Sequence, residues 1–441
     1  MKEFPIQTVL LLRFIYVVSV IPATVLLAFL PLPRRLLAAS QRAFDTFYLV
    51  LIISSRFLVF GLIFFILHIG PRGDVVGYYY AEANRALHSA VVYRDFPSSY
   101  APLFSYIGAA VLWLNNSPLA LIAFTIFLEI CSIPIWFAAI RPSCSEATFR
   151  RGALLYLVQP LMLFNVAVDG GNNVWIAFSL ALALLFLSRY RDAASGASYS
   201  ISLIAVKFLP LIFAPLLFLS ARRRLAWTIG FVVPMVAVYG LFAAQHANIF
   251  QPVQQEGNLQ LGGSLPLLFS YATGIEIDGR LSDGITIFAL LACTFAWWRA
   301  TRRLVFHCGT DTTQNQNVTR GWTTGIGLLV LTLSMLMLSK KSWTIYVIMV
   351  MFLLCQLVAR YGRLTRLLYC IFSFLLIVEP SFLFDRVGER HQSIHVLLMQ
   401  GDGSAWLLMA MYIVELFCSA WFIWVSIRDL QRPAIVHQIA S

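Results

Sequence analysis

The stretch TFYLVLIISSRFLVFGLIFFILHI, residues 46–69, stays apolar for long enough to cross the roughly 30 Å hydrocarbon core of a bilayer as a helix. It runs on into Gly73-Asp74-Val75-Val76-Gly77-Tyr78-Tyr79-Tyr80, which puts one acidic residue and a tyrosine-rich amphipathic segment directly after a span. Apolar runs like the first recur at 6–30, 118–140, 152–168, 173–188, 225–244, 284–304, 321–338, 343–359, 366–383 and 404–427. With 60% hydrophobic residues, 12% charged residues and a mean hydropathy of +0.79, the chain does not carry a water-soluble surface. The expectation is an all-α, polytopic integral membrane protein with about 10–12 transmembrane helices. No soluble module or low-complexity tract separates the runs, so residues 1–441 are read as one transmembrane domain.

The formal charge of +12 does not indicate a nucleic-acid partner, because the cations sit in short clusters between spans. These are Arg34/Arg35/Arg42, Arg141/Arg150/Arg151, Arg189/Arg191, Arg222/Arg223/Arg224, Arg299/Arg302/Arg303 and Arg360/Arg363/Arg366, the pattern of cytoplasmic loops. Loops 70–101, 245–283 and 384–403 hold acids instead, among them Asp74, Glu82, Asp95, Asp278, Asp283 and Asp402, and are assigned to the outer face. This topology constrains the apolar segments between 101 and 140. Two spans there would return the cluster at 141–151 to the outside, so 101–116 is read as a half-inserted helix on the outer leaflet. In 198–220, Lys207 and Pro210 interrupt the apolar run, which reads as a broken hairpin or as two short spans that raise Lys207 toward the outer side.

None of the seven cysteines falls on the outer face and no pair has metal-ligand spacing. The N-terminal apolar run lacks a small-residue cleavage site and is expected to be retained.

Polar groups inside or beside membrane segments are costly and usually functional. Besides Asp74 they are Glu129 within a span, Asp169-Gly170-Gly171-Asn172-Asn173, Lys207, Lys340-Lys341-Ser342-Trp343-Thr344-Ile345-Tyr346, and Arg386, Arg390, His391 and His395. Lysine and arginine bind phosphate oxygens strongly in a dehydrated site, and a carboxylate suits deprotonation of an attacking hydroxyl. Together these groups describe transfer from a phosphate-linked donor to an alcohol.

Asp74 with its following tyrosines, then Val92-Tyr93 and Tyr100-Ala101-Pro102-Leu103, resembles the first outer loop of the GT-C superfamily of membrane glycosyltransferases. Gln159-Pro160 leading to Asp169-Gly170-Gly171-Asn172-Asn173, then Val206-Lys207-Phe208-Leu209-Pro210, then Lys340 to Tyr346, resemble further elements in the family's order. The likeness spans about residues 46 to 430 and is nearest to the first mannosyltransferase of GPI-anchor assembly and to bacterial polyprenyl-phosphate-mannose-dependent mannosyltransferases.

The resemblance implies a GT-C-like fold with amphipathic or half-inserted helices on the outer face. It implies a polyprenyl- or dolichyl-phosphate sugar as donor, a glycan or glycolipid acceptor, and inverting transfer with Asp74 as general base. Lys207, Lys340, Lys341, Tyr346, Asp169, Asn172, Asn173, Tyr78, Arg386, Arg390 and His391 become substrate-binding candidates. The family often has Asp-x-Asp where this chain has Asp74-Val75-Val76, and an aspartate after the Gly-Asn turn where it has Asn173-Val174. A single carboxylate is a poor Mg²⁺ or Mn²⁺ site, so no metal and no cofactor is expected beyond the lipid-phosphate donor. The partners are membrane lipid and these substrates, with room for an accessory membrane subunit. A bacterial plasma membrane is favoured over the endoplasmic reticulum, since no ER-retention signal or clearly lumenal glycosylation site is present.

Plainer roles compete. Asp74 could cap the tyrosine helix, Lys207 could snorkel, Lys340 and Lys341 could anchor a span end, and the tyrosines could form an interfacial belt. Glu129 is read as a protonated packing residue, and the arginines at 222–224 as topological. Two other functions fit part of the pattern. A polysaccharide polymerase or ligase would depend on arginine and histidine in large late outer loops, which here are modest. A transporter would show internal repeats and ionisable groups at the membrane midplane, and neither is evident.

Overall fold

The computed structural model describes residues 19–256, 260–307, 313–390 and 393–431. Among them the backbone is nearly all helical, and the strands are one two-residue parallel pair, β1 (Leu261–Gly262) with β2 (Lys341–Ser342). The helices that build the body are α1 (Gln41–Gly61), α2 (Ala81–Leu87), α3 (Phe104–Leu114), α4 (Pro118–Ile140), α5 (Glu146–Leu157), α6 (Pro160–Ala167) and α7 (Asn173–Ser188). They continue with α8 (Asp192–Ala205), α9 (Arg224–Ala244), α10 (Gly279–His307), α11 (Thr313–Leu338), α12 (Met351–Arg360), α13 (Arg363–Ser381) and α14 (Gly403–Gln431).

Among the described residues, six helical stretches are long and apolar enough to cross a bilayer: Gln41–Ile66, Pro118–Ser143, Arg224–Ala244, Gly279–Arg302, Arg320–Leu338 and Gly403–Gln431. The protein is thus an all-α membrane protein. Burial separates their roles: the Arg320–Leu338 stretch is 89% buried and forms the centre, whereas Arg224–Ala244 is 11% buried and presents its apolar side chains outward, as a lipid-facing helix does. Where α8 crosses α9, a side chain on Gly196 or Gly230 would stand 2.2 Å from Trp227 O or 2.0 Å from Ala193 O, so glycine lets the two backbones touch.

Several other apolar runs are short or broken, each for a local reason. The run 152–168 predicts one helix, but the chain breaks at Gln159-Pro160 because proline supplies no amide. Gln159 Oε1 caps α6 by accepting from Leu161 N at 2.8 Å, while Arg56 Nη1 donates to Leu157 O at 2.9 Å and satisfies a carbonyl at the end of α5. The segment 101–116 forms only the eleven-residue α3, too short to span. The segment 198–220 is the end of α8, a break at Val206–Phe208, a 3₁₀ turn at Leu209–Phe213 and a short helix Ala214–Ser220. Of the run 6–30 only Ser19–Phe29 is described as helix, and Arg13 lies outside the described residues.

Glu129 departs from its sequence reading. It accepts from Arg56 Nε and Nη2, both at 2.8 Å, in a fully buried bidentate ion pair between α1 and α4. The bidentate contact makes it a member of an ion pair and not a lone packing residue.

Candidate functional site

The segment 70–103 is tied to the break after α8 by backbone bonds that follow from the sequence. Pro210 has no N–H to offer Val206 O, and Ala101 N donates to that carbonyl at 3.0 Å, while Leu103 N donates to Ile204 O at 2.9 Å. The Tyr100–Leu103 turn therefore lies along the break. Lys207 is half-buried there, with its Nζ 5.1 Å from the centroid of the Tyr100 ring, a cation–π contact.

Asp74 begins a π-helical turn, Val75–Tyr80, a rare geometry that recurs at functional sites. Its side chain is exposed and makes no capping hydrogen bond, so the plainer role as a helix cap is not realised. The carboxylate acts electrostatically on Lys207, Lys341, Tyr79, Tyr100 and Tyr346. Asp74, Lys207 and the pair Lys341 and Tyr346 come from three separate parts of the sequence, and the fold brings them into one electrostatic neighbourhood.

Lys341 sits on β2, held by the pairing with β1 and by Leu261 N donating to Lys340 O at 2.8 Å. Gly262 has φ +115°, and a side chain there would stand 2.1 Å from Ser342 O, so only glycine lets the two strands meet. Burial pushes the Lys341 ammonium down to about 8; the Lys207 charge acts in the same direction and Asp74 opposes it. Lys340 differs from its neighbour. It is buried and its Nζ donates to Asp283 Oδ2 at 2.6 Å, so Lys340 braces α10 and Lys341 faces the site.

The α6–α7 turn closes the cluster from the third side. Gly170 has φ +62° and packs against Ile122 and Val75, next to Asp74. The Asn172 backbone N–H donates to the Tyr79 hydroxyl, which also bonds the Tyr100 hydroxyl, and Asp169 acts electrostatically on Tyr79. Asn165, Asn172 and Asn173 are at most 5% exposed, yet Asn165 Oδ1, Asn172 Nδ2 and Oδ1, and Asn173 Oδ1 lack hydrogen-bond partners. Buried amides with open donors and acceptors are suited to a hydroxyl-rich ligand or water.

The other candidates lie elsewhere. Tyr78 is 55% exposed and points away from the cluster that Tyr79 joins. Arg390 forms an ion pair with Asp402, and His395 Nδ1 lies 2.9 Å from Tyr271 O. The Arg386 side chain and His391 lie outside the described residues. Among the described residues no group of three His, Cys, Asp or Glu side chains is placed to hold a metal ion.

Sequence reasoning did not single out Arg56, nor Glu82 as more than a loop acid. Glu82 is buried, accepting from Ser98 Oγ at 2.7 Å and Ser105 Oγ at 3.1 Å, and burial raises its carboxyl to about 7. It pins α2 to the start of α3. The signal for Glu82 was an isolated acid followed, 16 residues on, by Ser98 in the same loop, which no periodicity marks.

Fold and site define an all-helical membrane protein with a carboxylate–lysine cluster at the ends of its helices. No family model, no curated protein and no solved structure matches this chain.

Proposed function

We propose that the chain is a membrane glycosyltransferase that moves a sugar from a polyprenyl- or dolichyl-phosphate donor to an acceptor hydroxyl at the outer or lumenal leaflet. The observation that carries this reading is the gathering of the exposed Asp74 carboxylate with two lysines, Lys207 and Lys341, beside buried amides with open hydrogen-bonding atoms. It also rests on the GT-C resemblance, which favours mannose, about 10–12 spans with the broken segments counted, and a bacterial plasma membrane, with the endoplasmic reticulum as the alternative.

In this mechanism Asp74 takes the acceptor proton as the acceptor oxygen attacks the anomeric carbon from the face opposite the phosphate. The bond from that carbon to the phosphate oxygen breaks with inversion, and the lipid phosphate leaves with the bonding pair. Lys207 and Lys341 stabilise the charge that develops on it. Asn165, Asn172, Asn173 and Asp169 bind the sugar hydroxyls, since a site whose buried amides are otherwise unpaired discriminates strongly for a ligand that pairs them. Asp74 has no second carboxylate in Asp-x-Asp spacing, so the transfer step needs no divalent metal.

The test is transfer from radiolabelled polyprenyl-phosphate-mannose in membranes carrying the wild-type chain or Asp74→Asn, each with and without excess EDTA. Transfer by the wild type that resists EDTA and disappears in Asp74→Asn is the expected result. Transfer that survives in Asp74→Asn removes the general base from this mechanism and moves attention to Asp169.

A further inference from the structure

Beside β2, two glutamates are buried on α13 and α14. Glu379 is 3% and Glu415 7% exposed, and the two interact electrostatically. Glu415 lines a cavity of about 20 Å³ together with Ser342, Thr344 and Ser419. Thr344 Oγ1 donates to Glu379 Oε2 at 3.5 Å, so one hydroxyl links the cavity to the second carboxyl. Glu415 Oε1 is buried without a hydrogen-bond partner. Close by, where Gly263 packs on the Tyr412 ring, Ser264 Oγ is also buried and unpartnered, while the Tyr412 hydroxyl donates to Glu379.

A carboxylate within a membrane helix is costly unless something compensates its charge. The cavity has room for about one water-sized body. Its polar lining is carboxylate and hydroxyl oxygen, the ligand set of hard cations, with no thiol or imidazole among the lining residues. Divalent ions of this class are held by several carboxylates or retain a water shell that this volume does not accommodate.

The geometry points to a binding site for a single alkali cation, held by the Glu415 carboxylate and the Thr344 and Ser419 hydroxyls, with Glu379 behind Thr344. Ser342 follows Lys341 on β2 and Gly263 follows β1, so the ion braces the strand pair that presents Lys341. This inference does not depend on the transferase reading, because its test concerns Glu415 and stability, not Asp74 and turnover.

The experiment is thermal unfolding of the full purified chain in detergent. Sodium, potassium or N-methylglucamine chloride is compared at equal ionic strength, with calcium as a further arm, for wild type, Glu415→Gln and Ser419→Ala. Sodium or potassium is expected to raise the wild-type midpoint saturably by about 2 °C or more over N-methylglucamine. Both variants should lose that rise, and Glu415→Gln should match or exceed the wild-type midpoint in N-methylglucamine, because it removes an uncompensated buried charge. If Glu415→Gln does not fold, Ser419→Ala carries the comparison. Equal wild-type midpoints in all three salts, a response to calcium alone, or an alkali response that persists in the variants would each overturn the site. So would stabilisation by acid alone, which would assign a shared proton to the two glutamates.

Discussion

Lys207 Nζ stands 5.1 Å from the centre of the Tyr100 ring because the amide of Ala101, the next residue, takes the Val206 carbonyl that Pro210 leaves open. A lysine at a helix break and a tyrosine in a distant loop are thereby fixed to each other by main-chain geometry. If Lys207 neutralises the leaving phosphate, Lys207→Met should lower kcat/KM by about 100-fold. Lys207→Arg should restore only part of the rate, since a guanidinium keeps the ring contact but spreads and shifts the charge that a compact ammonium presents to the phosphate. Tyr100→Leu removes the cation–π contact of about 0.5–2 kcal/mol and should raise the donor KM more than it lowers kcat. Steady-state transfer rates for the three variants check this, and a Lys207→Met enzyme at wild-type rate would leave Lys207 a snorkelling residue.

Lys341 gives the site a pH limit. Its ammonium is pushed down to about 8, so the charge that binds a phosphate is present below that pH and is lost above it. Donor KM should therefore rise above about pH 8, by at most about tenfold per pH unit. Fold stability should move the other way. A lysine whose folded pKa is depressed costs the native state while it is charged, and that cost disappears as pH rises through 8 toward the ordinary lysine value. Lys341→Arg should flatten the KM profile, because arginine keeps its proton. KM and the unfolding midpoint measured across the same buffers separate loss of binding from loss of fold.

Glu82 predicts the opposite trend in stability. Its carboxyl, held at about 7 in the folded chain against 4.5 when free, binds a proton in the native state that the unfolded chain has released. Stability is therefore greatest below the unfolded value and declines as pH rises through 7, by roughly 3 kcal/mol at most. The weakened part should be the segment 81–105, which the bonds from Ser98 and Ser105 to this carboxyl hold together. Limited proteolysis of that segment should be faster at pH 8 than at pH 5.5 in the wild type, and equally slow at both in Glu82→Gln.

The membrane class, the shortness of α3 and the break at Lys207-Pro210 were readable because each rests on hydropathy length or on proline. Which of two adjacent residues faces the site was not readable. Lys340 and Lys341 look alike in sequence, and only the two-residue pairing with Leu261–Gly262 turns one to Asp283 and the other inward. The tyrosines at 78–80 pose the same problem, because a π-helical turn rotates side chains out of the 3.6-residue phase by which they would be assigned. Arg56 was hidden inside an otherwise apolar run, and its partner Glu129 lies 73 residues away.

That pair should behave as a unit. Removing one partner strands a charge in the bundle interior, so Glu129→Ala or Arg56→Met should each cost about 3–5 kcal/mol. Arg56 also serves the Leu157 carbonyl at the α5–α6 break, so the arginine variant should be the worse of the two. An Arg56→Met, Glu129→Leu double replacement should recover most of the loss, since paired apolar side chains of similar volume avoid the desolvation penalty. Denaturant unfolding in detergent of the two singles and the double variant measures the coupling, and additive losses would show that the two charges do not act together.

Gly171 tests whether the α6–α7 turn serves substrate or merely connects helices. A side chain there would stand 2.0 Å from Asn165 Oδ1, so Gly171→Ala has to displace that amide and with it the turn carrying Asp169 and Asn172. The stability cost of such overpacking is about 1–3 kcal/mol. Gly240→Ala in α9 is the control: nothing lies within 4 Å of its added carbon, and alanine favours the helix by about 0.5–1 kcal/mol. If the Asn165 and Asn172 amides bind the sugar, Gly171→Ala should lose transfer by about tenfold or more at a temperature where it is still folded. Gly240→Ala should transfer at the wild-type rate. Equal transfer by the two folded variants would make the turn a connector and leave the open amides to buried water.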